Sequence, residues 1–222
     1  MSDTFDSIQY AKSLGYSEDE LRSVPEGLVC HGCGNSVALA ELQEGETVLD
    51  LGSGDGLDAF LAAKRVGPAG GVIGVDVSVE KIAKATEAAS KGGYANIVFK
   101  VGRMERLPLE EASVDVVISN CVVNHAADKL AVFREVRRCL RPDGRLVVTD
   151  LVAEGGFSQA ALSDEMWGEW LGVALGKQEY LLSIEKAGFR NLMVVSETVF
   201  PMAEQDERLR GRIVSIGVKA YK

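Results

Sequence analysis

Gly52, Gly54 and Gly56 follow the apolar run Val48-Leu49-Asp50-Leu51 and precede a helix-like stretch that reaches about residue 66. Glycines at this GxGxG spacing let the backbone turn sharply and let a ligand approach closely. Twenty residues beyond Gly56, Asp76 ends the next apolar run, Val72-Ile73-Gly74-Val75. A carboxylate there can accept hydrogen bonds from both hydroxyls of a ribose. Strand, turn, helix and acid together point to a nucleoside-containing cofactor at the carboxyl ends of the strands. The charge around the turn narrows the choice. Asp50 precedes it and Asp55 and Asp58 follow, and crowded carboxylates repel a pyrophosphate. S-adenosylmethionine carries a sulfonium and an ammonium and no phosphate, so it suits them. A dinucleotide is the competing reading.

Sulfur is the second chemical resource. The cysteines are Cys30, Cys33, Cys121 and Cys139, and the histidines are His31 and His125. Cys30-His31-Gly32-Cys33 has CxxC spacing, but structural zinc wants a second ligand pair, and no second CxxC exists. A thioredoxin-like redox role wants the motif at a strand-to-helix junction, whereas this one lies in the loop-like stretch 25–36. Cys139 shares a helical face with Val136 and Leu140 and reads as core. Cys121 follows a buried strand, where an inert packed thiol is common. His125 reads as a surface-loop histidine, so general bases for neutral pH are scarce. Trp167 and Trp170, three apart, could line one helix face, either in the core or over a substrate.

The elements that must position these groups alternate. Strands are expected at 48–51, 72–76, 97–101, 114–119 and 145–151, with helices to about 66, at 79–91 and at 129–140. This βαβ rhythm predicts an α/β fold, a Rossmann-like, mainly parallel sheet with helices on both faces. The strands are apolar runs rather than alternating ones, as expected when both faces are covered. Residues 1–44 read as a helical and loop cap that carries Cys30 and Cys33, with Ser17 and Glu20 at capping-box spacing and a short helix at 37–43. Residues 153–190 read as a helical insert near the substrate side, with a helix at 177–187. Strands at 192–198 and 212–220 follow. No repeat or linker divides the 222 residues, so a single domain, 1–222, is expected.

Composition sets the outer limits. The chain is 46% hydrophobic with a net charge of −9. That charge argues against nucleic acid, whose phosphates need clustered Lys and Arg, and against an anionic membrane surface. No run of about 18 apolar residues predicts a transmembrane helix. The polar, acidic start is unlike a signal peptide. The expected location is the cytoplasm, where thiols stay reduced.

Residues 45–152 resemble a class I S-adenosylmethionine-dependent methyltransferase, and nearly the whole chain resembles the arsenite methyltransferase family. Five segments carry most of the likeness. They are Gly32-Cys33-Gly34-Asn35, Gly45-Glu46-Thr47-Val48-Leu49-Asp50-Leu51-Gly52-Ser53-Gly54, Val72-Ile73-Gly74-Val75-Asp76, Ile118-Ser119-Asn120-Cys121-Val122 and Trp167-Gly168-Glu169. The glycine block marks the class, and the GCGN and SNCV segments mark the family. The resemblance implies a seven-stranded sheet whose last strand is antiparallel. It implies cofactor contacts at Asp50, Gly52, Ser53 and Gly54, ribose at Asp76, and adenine beside Val77, Met104 and Glu105. Asn120 is expected to face the methyl group. Cys33 and Cys121 match two of the family's arsenic-binding thiols and are the expected catalytic pair.

Trivalent arsenic is a soft centre with three bonding positions and a lone pair, and soft centres prefer thiolates. The lone pair needs no base to make it a nucleophile, which suits a chain with two histidines. Positioning would be the main protein contribution. The chain departs from the family at Trp170, where a further thiol is expected. Cys30 could supply a third sulfur. Alternatively the substrate already carries carbon on arsenic, leaving two positions for thiolates and favouring methylarsenite or another organoarsenical over arsenite. In a third reading Trp170 packs against the organic acceptor of a C-, N- or O-methyltransferase. A non-catalytic, thiol-based metalloid binder is the remaining alternative. The expected partners are a small trivalent arsenical, bound by Cys30, Cys33, Cys121 and Trp170 as substrate rather than as a resident metal, and a thiol reductant.

Overall fold

The computed structural model describes residues 7–154, 175–207 and 209–222. The seven strands of the sheet are β1 (Thr47–Leu51), β2 (Gly71–Asp76), β3 (Ile97–Val101), β4 (Val114–Asn120), β5 (Leu140–Ala153), β6 (Arg190–Val199) and β7 (Ile213–Tyr221). They lie in the order β3-β2-β1-β4-β5-β7-β6. The pairs from β3 to β5 are parallel, and β7 runs antiparallel to both its neighbours. The class I methyltransferase sheet implied by the resemblance is therefore present.

Alternation along the strands sends successive side chains to opposite faces. Val48 and Val116 join the cluster that contains Phe60, while Leu49 and Val117 join the one that contains Phe133 and Tyr180. Helices α1 (Ser7–Ser13), α2 (Glu18–Arg22) and α3 (Ser36–Ala40) form the N-terminal cap. Ser17 and Glu20 form the reciprocal capping box that their spacing predicts. Helices α4 (Leu57–Val66), α5 (Val79–Lys91), α6 (Lys129–Cys139) and α7 (Lys177–Lys186) complete the described α-helices. The described helices include none long and apolar enough to cross a membrane.

Two boundaries differ from the sequence expectation. The helix expected near 37–43 stops at Ala40, because Glu41 turns left-handed at φ 50°. Strand β5 starts at Leu140, directly after α6, and not at 145. Asp143 at φ 63° and Gly144 bend it, and the pairing with β4 jumps from Val114–Leu140 to Val116–Arg145. Trp167, Trp170 and most of the expected insert lie outside the described residues.

The connections set the site. From β1 the chain moves outward to β2 on one side, and β4 lies on the other. Such a reversal opens a crevice at the carboxyl ends of the strands.

Candidate active site

The turn after β1 is built to admit a ligand. Gly52, Gly54 and Gly56 have φ of 73°, 52° and 98°, in the region that favours glycine. A Cβ on Gly52 would stand 2.4 Å from Val122, whereas one on Gly54 would meet nothing within 4 Å. The Gly52 and Ser53 N–H groups donate to the Val75 carbonyl at 2.8 and 3.0 Å. Asp76 accepts from the Gly54 N–H at 3.0 Å and the Ser78 N–H at 2.9 Å. The turn is thus sewn to β2, and the Asp76 carboxylate stands at the mouth.

A cleft of about 550 Å³ opens there, a volume typical of small-molecule sites. Asp50, Gly52, Ser53, Gly54, Asp76, Val77, Met104 and Asn120 border it, so the structure brings these expected cofactor residues together. Glu105 does not border it and pairs with Arg103 instead. The Asp50 Oδ2 and Ser53 Oγ atoms are buried and have no hydrogen-bond partner among the described residues. Burial, then Asp58 and Asp76, hold the Asp50 carboxyl well above the usual carboxylate range. An unpaired acceptor of this kind calls for a cationic donor. S-adenosylmethionine has an ammonium and ribose hydroxyls, so the residues present fit it. A pyrophosphate would meet Asp50, Asp55, Asp58 and Asp76 together.

Asn120, which borders the cleft, holds the Cys33 loop of the cap beside it. The Asn120 Oδ1 accepts from the N–H groups of Cys33 at 2.9 Å and Gly34 at 3.3 Å, and from the Thr149 hydroxyl at 2.9 Å. Its Nδ2 donates to the Gly34 carbonyl, the Tyr16 hydroxyl oxygen and Asp58. Tyr10 donates to the Gly32 carbonyl at 2.7 Å, and Ser215 donates to the Cys33 carbonyl at 2.7 Å. Close approach explains the two glycines around Cys33. A Cβ on Gly32 would lie 2.3 Å from Asn120, and one on Gly34 would lie 2.9 Å from Thr149. The amide expected to face the methyl group borders the cleft but is committed to holding this loop.

Cys121 follows β4 in a left-handed conformation, φ 60°. That is uncommon for a side-chain-bearing residue and concentrates at functional sites. The sulfurs of Cys33 and Cys121 and a carboxylate oxygen of Asp150 all lie within 4.8 Å of one another. The hydrogen bond shared with Cys33, burial, and the charges of Cys33 and Asp150 hold the Cys121 thiol well above its ordinary range. Burial pushes the Asp150 carboxyl up to about 7, against donors from Tyr180, Leu151 and Asn124 and the nearby Lys129 ammonium.

Cys30 borders the cleft and is buried, but its sulfur is not part of the three-donor group. Burial pushes its thiol up to about 12. Cys139 is in the core beside Phe133 and Val136, as its helical face predicts. His125 is exposed on the cleft rim. Trp170 lies outside the described residues. Sequence reasoning missed Asp150, Tyr10 and Tyr16. A signal for Asp150 existed: one acid interrupts the buried run Leu146-Val147-Val148-Thr149-Asp150-Leu151-Val152 near the carboxyl end of a strand. The tyrosines' partners had no local signal, because they lie 22 and 42 residues away.

Comparisons with known proteins agree with this geometry. A family model described as a methyltransferase domain matches residues 42–188. The chain is 49% identical to an arsenite methyltransferase of Halobacterium salinarum over 66% of this chain and 38% of that protein. It is 36% identical to an arsenite methyltransferase of Aquipseudomonas alcaligenes over 82% of this chain and 54% of that one. The chain thus spans about half the length, or less, of these curated relatives. The crystal structure of an arsenic(III) S-adenosylmethionine methyltransferase from Chlamydomonas reinhardtii superposes with a TM-score of 0.75 at 30% identity. It covers 96% of this chain and 73% of that one.

Proposed function

The chain belongs to the class I S-adenosylmethionine-dependent methyltransferases, in the arsenite methyltransferase family, and on that premise we propose that it methylates a trivalent arsenical gripped by Cys33 and Cys121. The observation that carries this reading is the pair of buried sulfurs within 4.8 Å of each other beside an acid-lined cleft. Bound in that cleft, S-adenosylmethionine supplies an electrophilic methyl group. Asp76 would take its ribose, Gly52 and Gly54 would lie under its methionine portion, and Asp50 would face its ammonium. Val77 and Met104 would flank the adenine.

Each thiol displaces one hydroxyl from arsenic. An As–S bond forms, the thiol proton joins the departing hydroxyl, and water leaves. The lone pair stays on arsenic, so no protein base is needed to expose it. Cys33 and Cys121 then act by placement, which converts an encounter into an oriented contact. Cys30 stands outside the three-donor group, which favours an acceptor with two exchangeable positions. Methylarsenite or another organoarsenical fits that count better than arsenite. A thiol reductant would keep arsenic trivalent, and a reducing compartment such as the cytoplasm would keep the cysteines free.

The test is incubation with labelled S-adenosylmethionine and a panel of arsenite, methylarsenite and small organic acceptors. Methylarsenite is expected to accept label. Cys33→Ser and Cys121→Ser are each expected to abolish transfer while S-adenosylmethionine still binds. Unchanged arsenical turnover in either variant would overturn the assignment.

A further inference from the structure

We propose that Cys33, Cys121 and Asp150 form a binding site for one thiophilic divalent cation of the zinc and cadmium class, mutually exclusive with the arsenical. The site itself does not require the function proposed above; only the exclusion rests on it.

The donors come from three separate parts of the fold, the loop before α3, the residue after β4, and β5. Two sulfurs and one carboxylate oxygen lie within 4.8 Å of one another. A tetrahedral ion with metal–sulfur bonds of about 2.3 Å bridges sulfurs about 3.8 Å apart, so at most a small contraction is needed. Two thiolates with one oxygen or nitrogen ligand are a donor set that zinc and cadmium take, leaving a fourth position for water.

The outer contacts are those of an oriented ligand set. Asp150 accepts from the Tyr180 hydroxyl and the Asn124 N–H on one oxygen, each at 3.1 Å, and from the Leu151 N–H at 3.1 Å on the other. Tyr180 is fully buried and packs edge-on against Phe133, 5.7 Å between centroids. The Cys33 peptide is held on both sides, by Asn120 and Ser215. Such supports fix ligand direction and typically matter about 10–100-fold in metal affinity. Cys121 borders the cleft, which gives the ion access and the water its place.

Binding balances without a redox partner. Two metal–sulfur bonds and one metal–oxygen bond form, the two thiol protons and any proton on Asp150 pass to buffer, and no electron is transferred. With the carboxylate the set carries one net negative charge, in the field of the Lys129 ammonium. Because the same two sulfurs would hold arsenic, the cation and the arsenical compete.

The test uses the whole reduced chain, without S-adenosylmethionine, titrated with Cd²⁺ alone. Calorimetry and the ultraviolet thiolate-to-cadmium charge-transfer band are expected to report one ion per chain. Cys33→Ser and Cys121→Ser should each lower affinity about 100-fold or more, and Asp150→Asn about 10-fold or more. Cys139→Ala should leave it unchanged. Cadmium-113 NMR of the unmodified protein reports the number of sulfur ligands and does not depend on any variant folding. A two-sulfur shift is expected. No bound ion, a shift of one or of three or more sulfurs, or wild-type affinity in folded Asp150→Asn would overturn the site. Saturating Cd²⁺ should suppress arsenical methylation competitively, and unaffected turnover would overturn the exclusion. A chain that binds Cd²⁺ through two sulfurs but never methylates arsenicals would sink the proposed function and leave the cation site standing.

Discussion

The side-chain oxygen of Asn120 accepts the backbone N–H of Cys33 at 2.9 Å, across 87 residues of chain. The end of β4 and the loop of the cap are therefore one mechanical unit. Cys121 is the next residue after Asn120, so the strand end that holds the first thiol's loop also presents the second thiol.

Asn120→Ala should loosen that unit. It leaves the Cys33 N–H and Gly34 carbonyl unpaired in a part-buried place, and such groups cost about 1–3 kcal/mol when buried. Urea denaturation should show a loss of about 2 kcal/mol. Arsenical affinity should fall at least about 10-fold, which corresponds to about 1.4 kcal/mol. A folded variant that binds arsenicals like the parent would refute the positioning role.

Gly32→Ala should destabilise through overpacking. The new Cβ would lie 2.3 Å from the Asn120 amide, and strain of this kind typically costs about 1–3 kcal/mol. Gly71→Ala is the comparison, because a Cβ there meets nothing within 4 Å. Its effect should stay within about 0.5 kcal/mol. Thermal melting of the two variants side by side checks the contrast.

Asp150 should make stability fall as pH rises. Its folded pKa is about 7, above the unfolded value of about 3.9. A raised carboxyl contributes stability that is fully present below the unfolded value and lost as pH rises through the folded one. Asp50 and Asp58 are also raised by burial, but they are common to the parent and to Asp150→Asn. Between pH 5 and pH 8 the variant should therefore gain on the parent by an amount on the order of 2 kcal/mol. The same change in unfolding free energy from pH 5 to pH 8 for parent and variant, read from urea melts, would contradict the burial argument.

Asp76→Ala should separate the two halves of the site. It removes the acceptor for the Gly54 and Ser78 N–H groups and the carboxylate at the cleft mouth. Calorimetry should show S-adenosylmethionine binding weakened at least about 10-fold, since one charged hydrogen bond contributes about 1.5–3 kcal/mol. Cadmium binding at Cys33 and Cys121 should be unchanged.

Local periodicity and motif spacing determined a good deal by themselves. Helix 79–91 and strand 97–101 were legible from start to end, because helical spacing and apolar runs are local signals. The glycine turn and Asp76 were legible because backbone freedom and a ribose acceptor sit at set offsets in one βαβ unit. That Cys33 and Cys121 belong together was implied by family pattern alone, since no physical signal spans 88 residues of sequence. The tertiary structure decided the rest. Asp150 is a partner of the thiols only because β5 lies beside β4 and places its carboxylate near their sulfurs. Asn120 grips the cap at Cys33 and meets Tyr16 only because folding brings the cap over the strand ends. Hydrogen bonds and buried charges depend on proximity in space, and proximity between distant segments is a property of the folded chain that local sequence does not encode.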